Sequence, residues 1–398
     1  MKKTVFCMVM TALSIMMGSC YQENKAELLQ TNPNTEFVVS AQTAQDVAFY
    51  YLHKNENVPA TRGRQMEGGK IKNSFAINDN SSMPVMHIIN YEGGGFAIIS
   101  GDNRIEPMLA YADEGTFGDN ELDYPEGLTL WINHIKSTIG YIRENNVAAP
   151  KELISHWQTC EIYGKSRVVP EETLDCEDGE KVDDERVGPL LSSMWDQVFP
   201  YNLGMPLITC EGSLQYAYVG CQHLAVAQIL HYWEYPTNYN WSNMPDDDAT
   251  NDTWSLIDDI HEAYEQYDEI DYGCDGTTGE DVYIPGLLIN DFGYRSAVRA
   301  DYNYNTVKNE LLAYHRPVLL RGVSTNGHVW VCDGAHYWTV CNVDMNGNVG
   351  ANVYLHFHMN WGWGGEYNGW YSSVNFNIPR KGENYDSGLR MIYNIVPN

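Results

Sequence analysis

The spacing of apolar positions divides the chain into a mixed first part and a second part in which helices precede strands. Helical spacing predicts a short helix over Thr43–Leu52, through Ala44, Val47, Ala48 and Tyr51. A longer one is predicted over Leu128–Asn145, with Leu128, Trp131, Ile132, Ile135, Ile139 and Ile142 on one side. Between them, Val85–Asn90 and Phe96–Ser100 read as strands joined at Gly93-Gly94-Gly95, followed by a strand around Met108–Tyr111. After Gly220 the pattern is helical again: Val226, Ile229, Leu230 and Trp233 share a face, and Pro236 marks where that helix has ended. Further helices are expected at Trp254–Tyr267, at Asp281–Phe292 with Pro285 in its first turn, and at Val307–His315. From Pro317 onward the pattern is β: Pro317–Val323, His328–Cys332, His336–Val343, Val353–Met359, Gly369–Val374 and Leu389–Val396. Helices first and strands afterwards predict an α+β fold with an antiparallel sheet.

The composition supports full-sized cores: of 398 residues, 43% are hydrophobic and 12% aromatic, enough for two or three domains. The net charge of −29 excludes nucleic acid as a partner, because its phosphates would be repelled, and excludes unaided docking to an anionic membrane. The N-terminus has the marks of export. Lys2 and Lys3 precede the apolar run Thr4–Met17, too short for an ordinary membrane-spanning helix. Met17-Gly18-Ser19-Cys20 then resembles a bacterial lipoprotein cleavage site, at which residues 1–19 leave as the signal and Cys20 is lipidated. On that reading residues 21–34 are a polar tether, and a lipid anchor holds the chain to the outer membrane, at the cell surface or in the periplasm. The alternative is an ordinary secretory signal cut near the same place, giving a secreted product. No later stretch is long and apolar enough to span a membrane.

Between Pro170 and Arg186 the composition turns acidic. Glu171, Glu172, Asp175, Glu177, Asp178, Glu180, Asp183, Asp184 and Glu185 outnumber Lys181 and Arg186, and self-repulsion favours an extended, solvated segment. An extended stretch between two foldable units is a plain linker or a proteolytic processing site.

Nine cysteines in an exported chain raise the question of disulfides. Cys7 leaves with the signal and Cys20 is assigned to the anchor. Cys160, Cys176, Cys210, Cys221, Cys274, Cys332 and Cys341 remain, an odd number, so at least one thiol is unpaired within the molecule. Cys221 stands where the helix after Gly220 begins, where unpaired N–H groups and the helix dipole favour an anion. A thiolate nucleophile needs a base that later protonates the leaving group, and histidine suits both steps near neutral pH. His328 opens a strand after the Gly327 turn, which exposes an imidazole at a sheet edge. His223, His231, His261, His315 and His336 have no such context. His356 and His358 share a strand face, which would suit a metal, but no third ligand is evident, so neither metal nor other cofactor is expected. Asn360-Trp-Gly-Trp-Gly-Gly365 supplies a group to orient the imidazole and an indole to shield it. Gln197 supplies a side-chain N–H that, with the Cys221 backbone N–H, suits a developing oxyanion.

The motifs Trp-Asp-Gln-Val-Phe-Pro-Tyr-Asn (195–202), Val-Gly-Cys (219–221), Ala-Val-Ala-Gln-Ile-Leu-His-Tyr-Trp-Glu-Tyr-Pro (225–236), Gly-His-Val-Trp-Val-Cys-Asp-Gly (327–334) and Asn-Trp-Gly-Trp-Gly-Gly (360–365) resemble the streptopain family of bacterial cysteine peptidases. The resemblance implies a papain-like peptidase domain over 187–398. It also implies an inhibitory prodomain over 35–169, carried by Gly95-Phe-Ala-Ile-Ile-Ser-Gly-Asp102, with the acidic linker at 170–186 holding the processing site. It assigns Cys221 as nucleophile, His328 as general base and acid, Gln197 to the oxyanion, and Asn360 with Trp361 to orienting and covering the ring. Gly327 and the Gly276–Gly279 loop, with Thr278 as a wall residue, resemble parts of the substrate cleft. Protein or peptide substrates and the chain's own prodomain are the partners it implies. Two features depart from the family. Gln222-His223 replaces the small apolar residues that usually follow the nucleophile, and the stretch between His328 and Asn360 is longer than in the shortest relatives. The acidic linker and the altered residues after Cys221 leave a second reading, a catalytically inactive surface lipoprotein that binds host protein or inhibits a sister peptidase.

Overall fold

Helix α1 occupies Ala41–Lys54, around the predicted run, and buries Ala44, Val47 and Ala48. In this computed structural model the described residues are 36–54, 69–167, 184–274, 276–322, 327–343, 349–373 and 388–398, and residues 37–398 group as one unit. The signal, the tether, Cys20 and most of the acidic linker lie outside the described residues.

Four strands follow as an antiparallel meander: β1 (Ile71–Asn78), β2 (Pro84–Tyr91), β3 (Phe96–Ser100) and β4 (Met108–Ala112). Gly95, at φ 85°, lies so close to the Ala112 carbonyl that a Cβ would sit 2.6 Å from it, so the turn requires glycine there. Helix α2 (Glu126–Glu144) buries all six apolar residues that the helical spacing puts on one side. Burial of that stripe stabilises the fold by on the order of 10 kcal/mol. Helix α3 (Lys151–Ser166) then packs beside α1 against β3 and β4 through Leu153, Trp157 and Cys160.

Strand β5 (Asp184–Val187) is the described end of the acidic stretch, and it pairs with Ala335–Trp338. A short hairpin, β6 (Leu207–Cys210) with β7 (Ser213–Tyr216), leads into α4 (Cys221–Trp233), which is followed by α5 (Asn251–Tyr264). The predicted Asp281–Phe292 helix is a series of turns, Asp281–Tyr283, α6 (Ile284–Gly286) and Leu287–Asp291, with Pro285 at its start. Strand β8 (Ser296–Asp301), helix α7 (Tyr304–Leu312) and strand β9 (Val318–Gly322) come next. The two strands expected at His328–Cys332 and His336–Val343 form one, β10 (His328–Val343), with a bulge between Cys332 and Gly334. Strands β11 (Val349–Asn360), β12 (Gly369–Ser372) and β13 (Arg390–Val396) complete the chain.

All these strands except the β6–β7 hairpin belong to one antiparallel sheet, in the order β1-β2-β3-β4-β12-β11-β10-β9-β13-β8, with β5 added to β10. Strands from the first and second parts meet where Trp370 and Tyr371 pair with Tyr111 and Ala110. Alternation along β9 and β10 divides their side chains between two cores. Val318, Leu320, Trp330 and Cys332 pack with α2, whereas Leu319, Val329 and Val331 pack with α4 and α5. The Cys210–Cys274 disulfide, with Cα atoms 5.7 Å apart, ties the hairpin to the 271–279 loop. Cys341 is also disulfide-bonded, whereas Cys160, Cys221 and Cys332 are thiols.

Candidate active site

Gly220, at φ 91°, turns the chain into α4, and Cys221 is its first residue. A Cβ on Gly220 would meet His223 Nδ1 at 2.8 Å and the Thr277 carbonyl at 3.0 Å, which explains glycine at the entry. The thiol is half-buried and donates to Gln222 Oε1 at 3.2 Å. It receives the Val329 N–H at 3.5 Å, from the residue beside His328 and 108 positions along the chain. The sequence signals an easily ionised thiol, but burial pushes the Cys221 thiol up to about 11. The Val329, Gln222 and Cys221 backbone groups oppose that shift, and the Glu126 carboxylate adds to it.

His328 shares its strand face with Trp330, and the two rings lie 5.9 Å apart at 15°. Its Nε2 bonds the Trp361 carbonyl at 3.3 Å, and burial holds the imidazole down at about 4. The ring therefore lies on the side of the sheet that α2 covers. The N-terminal turn of α2 reaches this point. A Cβ on Gly127 would come within 2.7 Å of the Trp361 ring and 3.0 Å of Trp330. Thiol and imidazole are thus each hydrogen-bonded elsewhere, the thiol to Gln222 and the imidazole to Trp361.

The flanking motifs converge on the same place. The Gln197 carbonyl accepts the Val219 N–H at 2.9 Å, and the Trp195 carbonyl accepts the Gly364 N–H at 3.1 Å. The Gln197 side chain is buried beside this junction. Asn360 behaves differently from the expectation of a bond to the imidazole. Its Nδ2 donates to the Ser193 carbonyl at 2.8 Å and its Oδ1 accepts the Gly362 N–H at 3.2 Å, so Asn360 fastens two loops together. Trp361 supplies its carbonyl to His328 and is itself held by its indole N–H on the Tyr367 carbonyl at 3.0 Å. Gly327, at φ 73°, precedes β10. Thr278 is exposed, and its hydroxyl accepts the Asp271 N–H at 3.2 Å, while Thr277 Oγ1 holds the Tyr218 carbonyl at 2.5 Å. The loop is therefore fixed to the segment entering α4.

The two strand histidines have structural partners. His356 Nε2 bonds the Met108 carbonyl at 3.1 Å, and His358 Nδ1 bonds Asp333 at 2.6 Å. Among the described residues no cluster of three metal-ligating side chains occurs. Gln222 and the start of α2 were not singled out as functional by motif. The signals for them were the replaced residue after the cysteine and the glycine in an otherwise good helix.

A thiol opening a helix, set against an antiparallel sheet whose central strand opens with an imidazole, defines a papain-like α+β fold. The region 195–371 matches the pattern of the Peptidase C10 family, the streptopain family, over residues 195–238 and 237–371. Residues 36–139 match the Spi protease inhibitor pattern, so an inhibitory propeptide region precedes the peptidase region. Streptopain of Streptococcus pyogenes is 25% identical over 382 residues, spanning 84% of this chain and 85% of that one. The thiol protease/hemagglutinin PrtT of Porphyromonas gingivalis is 24% identical over 319 residues, spanning 70% of this chain and 32% of that protein. The prointerpain A fragment of Prevotella intermedia superposes with a TM-score of 0.55 at 20% identity, covering 82% of this chain and 99% of its own.

Proposed function

We propose that this chain is the exported zymogen of a cysteine endopeptidase, with residues 35–169 as inhibitory prodomain, 170–186 as processing linker and 187–398 as peptidase domain. The observation that carries the reading is the contact of the Val329 N–H with Cys221 Sγ, which brings together the Cys221 and His328 motifs. In the active form Cys221, as thiolate, attacks the peptide carbonyl carbon and the carbonyl π pair moves to oxygen. Gln197 and the Cys221 N–H receive that oxyanion. The His328 imidazolium gives its proton to the leaving amine as the C–N bond breaks. Water, deprotonated by the same imidazole, then releases the acyl group and regenerates the thiolate. Asn360 and Trp361 set the loop that carries the ring's partner, and Gly327 and Thr278 border the cleft.

The hydrogen bonds of Cys221 and His328 to other groups are those of a latent enzyme, and they fit a match to an inhibitor family over the N-terminal region. Activation requires the α2 turn to leave Trp330 and Trp361, so that the imidazole turns toward the sulfur. Cys221→Ala should leave the full-length precursor uncut and unable to digest casein, as read by mass spectrometry and a peptide-release assay. An alanine variant that still processes itself and digests casein would exclude Cys221 as nucleophile. The mass of the mature N-terminus separates a lipid-anchored form modified at Cys20 from a freely secreted one.

A further inference from the structure

The residue after the nucleophile departs from the family, and its contacts give it a part in the chemistry. Gln222 is 3% exposed in the first turn of α4. Its Oε1 accepts the Cys221 thiol at 3.2 Å, and its Nε2 is buried without a hydrogen-bond partner. That nitrogen lies against Gly279, where any Cβ would collide with it. A buried amide with one end on the nucleophile and the other end unpaired is costly, by about 1–3 kcal/mol. Turning the amide over exchanges its two ends, so one end stays unpaired in either orientation and the sulfur's own state decides which end faces it. A thiol has a proton to give and suits the carbonyl end; a thiolate has none and suits the N–H end.

We propose that Gln222 is a positioning residue for the nucleophile, holding Cys221 as a thiol through Oε1 in the latent chain and supporting the thiolate through Nε2 once the site opens. The inference rests on the reading of Cys221 as nucleophile. The turnover makes and breaks hydrogen bonds only; the proton leaving sulfur goes to His328. Glycine at 279 is the space that lets the amide occupy this place, and Tyr264, whose ring lies 3.1 Å from the position of a Gly279 Cβ, closes the far side.

The test is the iodoacetamide alkylation rate of Cys221 in the full-length chain between pH 6 and 9, mapped by peptide mass, with kcat and KM for peptide hydrolysis by the same preparations after processing. Gln222→Ala removes the acceptor and admits water, so latent alkylation should accelerate several-fold. Gln222→Glu places a carboxylate on the sulfur and should slow it several-fold. Both variants lack the N–H donor, and both should lose about tenfold in kcat at unchanged KM. Gly279→Ala displaces the amide without changing its charge and should follow Gln222→Ala in the alkylation assay. That variant keeps the test open if Gln222→Ala does not fold. A purely structural role would move the alanine and glutamate variants together, and that result, or latent rates within twofold of the parent, would overturn the proposal. Unchanged kcat in both would overturn its second half. Persistent activity in Cys221→Ala would overturn the nucleophile assignment instead, and the alkylation comparison would still report on the Gln222 contact.

Discussion

His223 shows how one side chain links packing to pH. It stands where the resemblance leads one to expect a small apolar residue, and its ring takes the core. It is 1% exposed and stacked on His261 with centroids 4.0 Å apart. Burial lowers both imidazoles, His261 to about 4 and His223 well below its ordinary value, with His261 adding to the shift of His223. Both are depressed below the unfolded value of about 6.5, so the unfolded chain binds more protons at acid pH and stability falls as pH drops from there towards 4. Each ring contributes a slope of up to about 1.4 kcal/mol per pH unit in that window. His223→Leu removes one of the two buried rings and should flatten the fall, as read by urea midpoints at pH 7 and pH 5. An unaltered difference between the two midpoints would show that the pair does not set acid sensitivity. The four site motifs were legible because their residue types are unusual in combination. The bonds of Asn360 were not, since they tie it to the distant Ser193 carbonyl and to the Gly362 N–H rather than to the ring. Alternation alone already put His328 on the face of Trp330 rather than of Val329.

At the scale of elements, strongly periodic runs were legible and tertiary-dependent ones were not. The α2 stripe and the Phe96–Ser100 strand follow directly from spacing. Helix α3 was missed because its buried face includes Ser155 and His156 beside Leu153 and Trp157. Strand β5 reads as linker from its composition and is extended into the sheet only by pairing with β10. The break expected in β10 at Asp333-Gly334 is a bulge, where the buried carboxylate accepts the Leu191 N–H at 3.0 Å and bonds His358. Helix α2 also carries a prediction. Gly127 costs the helix up to about 1 kcal/mol relative to alanine, and the contact with Trp361 and Trp330 accounts for its presence. Gly127→Val returns little of that propensity and overpacks two buried indoles, a loss of about 1–3 kcal/mol. The full-length variant should unfold at lower urea and should expose Cys221 to alkylation and peptide hydrolysis without prior processing. Equal midpoint and equal latency would mean that this turn does not hold the site closed.

Over the whole molecule, the sheet runs without interruption from the region matching the inhibitor pattern into the region matching the peptidase. Ionisable groups are set into the seam. Ser372 donates to Glu106, and burial pushes the Glu106 carboxyl up to about 8. Trp131 donates to the Ser372 carbonyl at 3.1 Å, and Tyr111 bonds His336 at 2.6 Å, which in turn meets Asp184 at 2.9 Å. A carboxyl raised in the folded state binds more protons there than when unfolded, so its contribution is lost as pH rises from the ordinary carboxylate range through 8. Glu106→Gln should therefore gain stability over the parent at pH 8.5 relative to pH 5.5, by at least about 1 kcal/mol in urea titrations. No differential gain would place the ionisation of Glu106 outside the seam's energetics.

Only Trp370 and Tyr371 of β12 pair with β4, at Tyr111 and Ala110, and those two aromatic side chains are 2% and 0% exposed. Departure of the first four strands would leave β12 as a bare rim, with unsatisfied peptide groups and two wet aromatic rings. Such a rim is a template. If the proposed processing severs that piece, the rim would recapture it in trans or recruit the same rim of a twin molecule, and dilution as well as cutting would set how long the separated domain stays open.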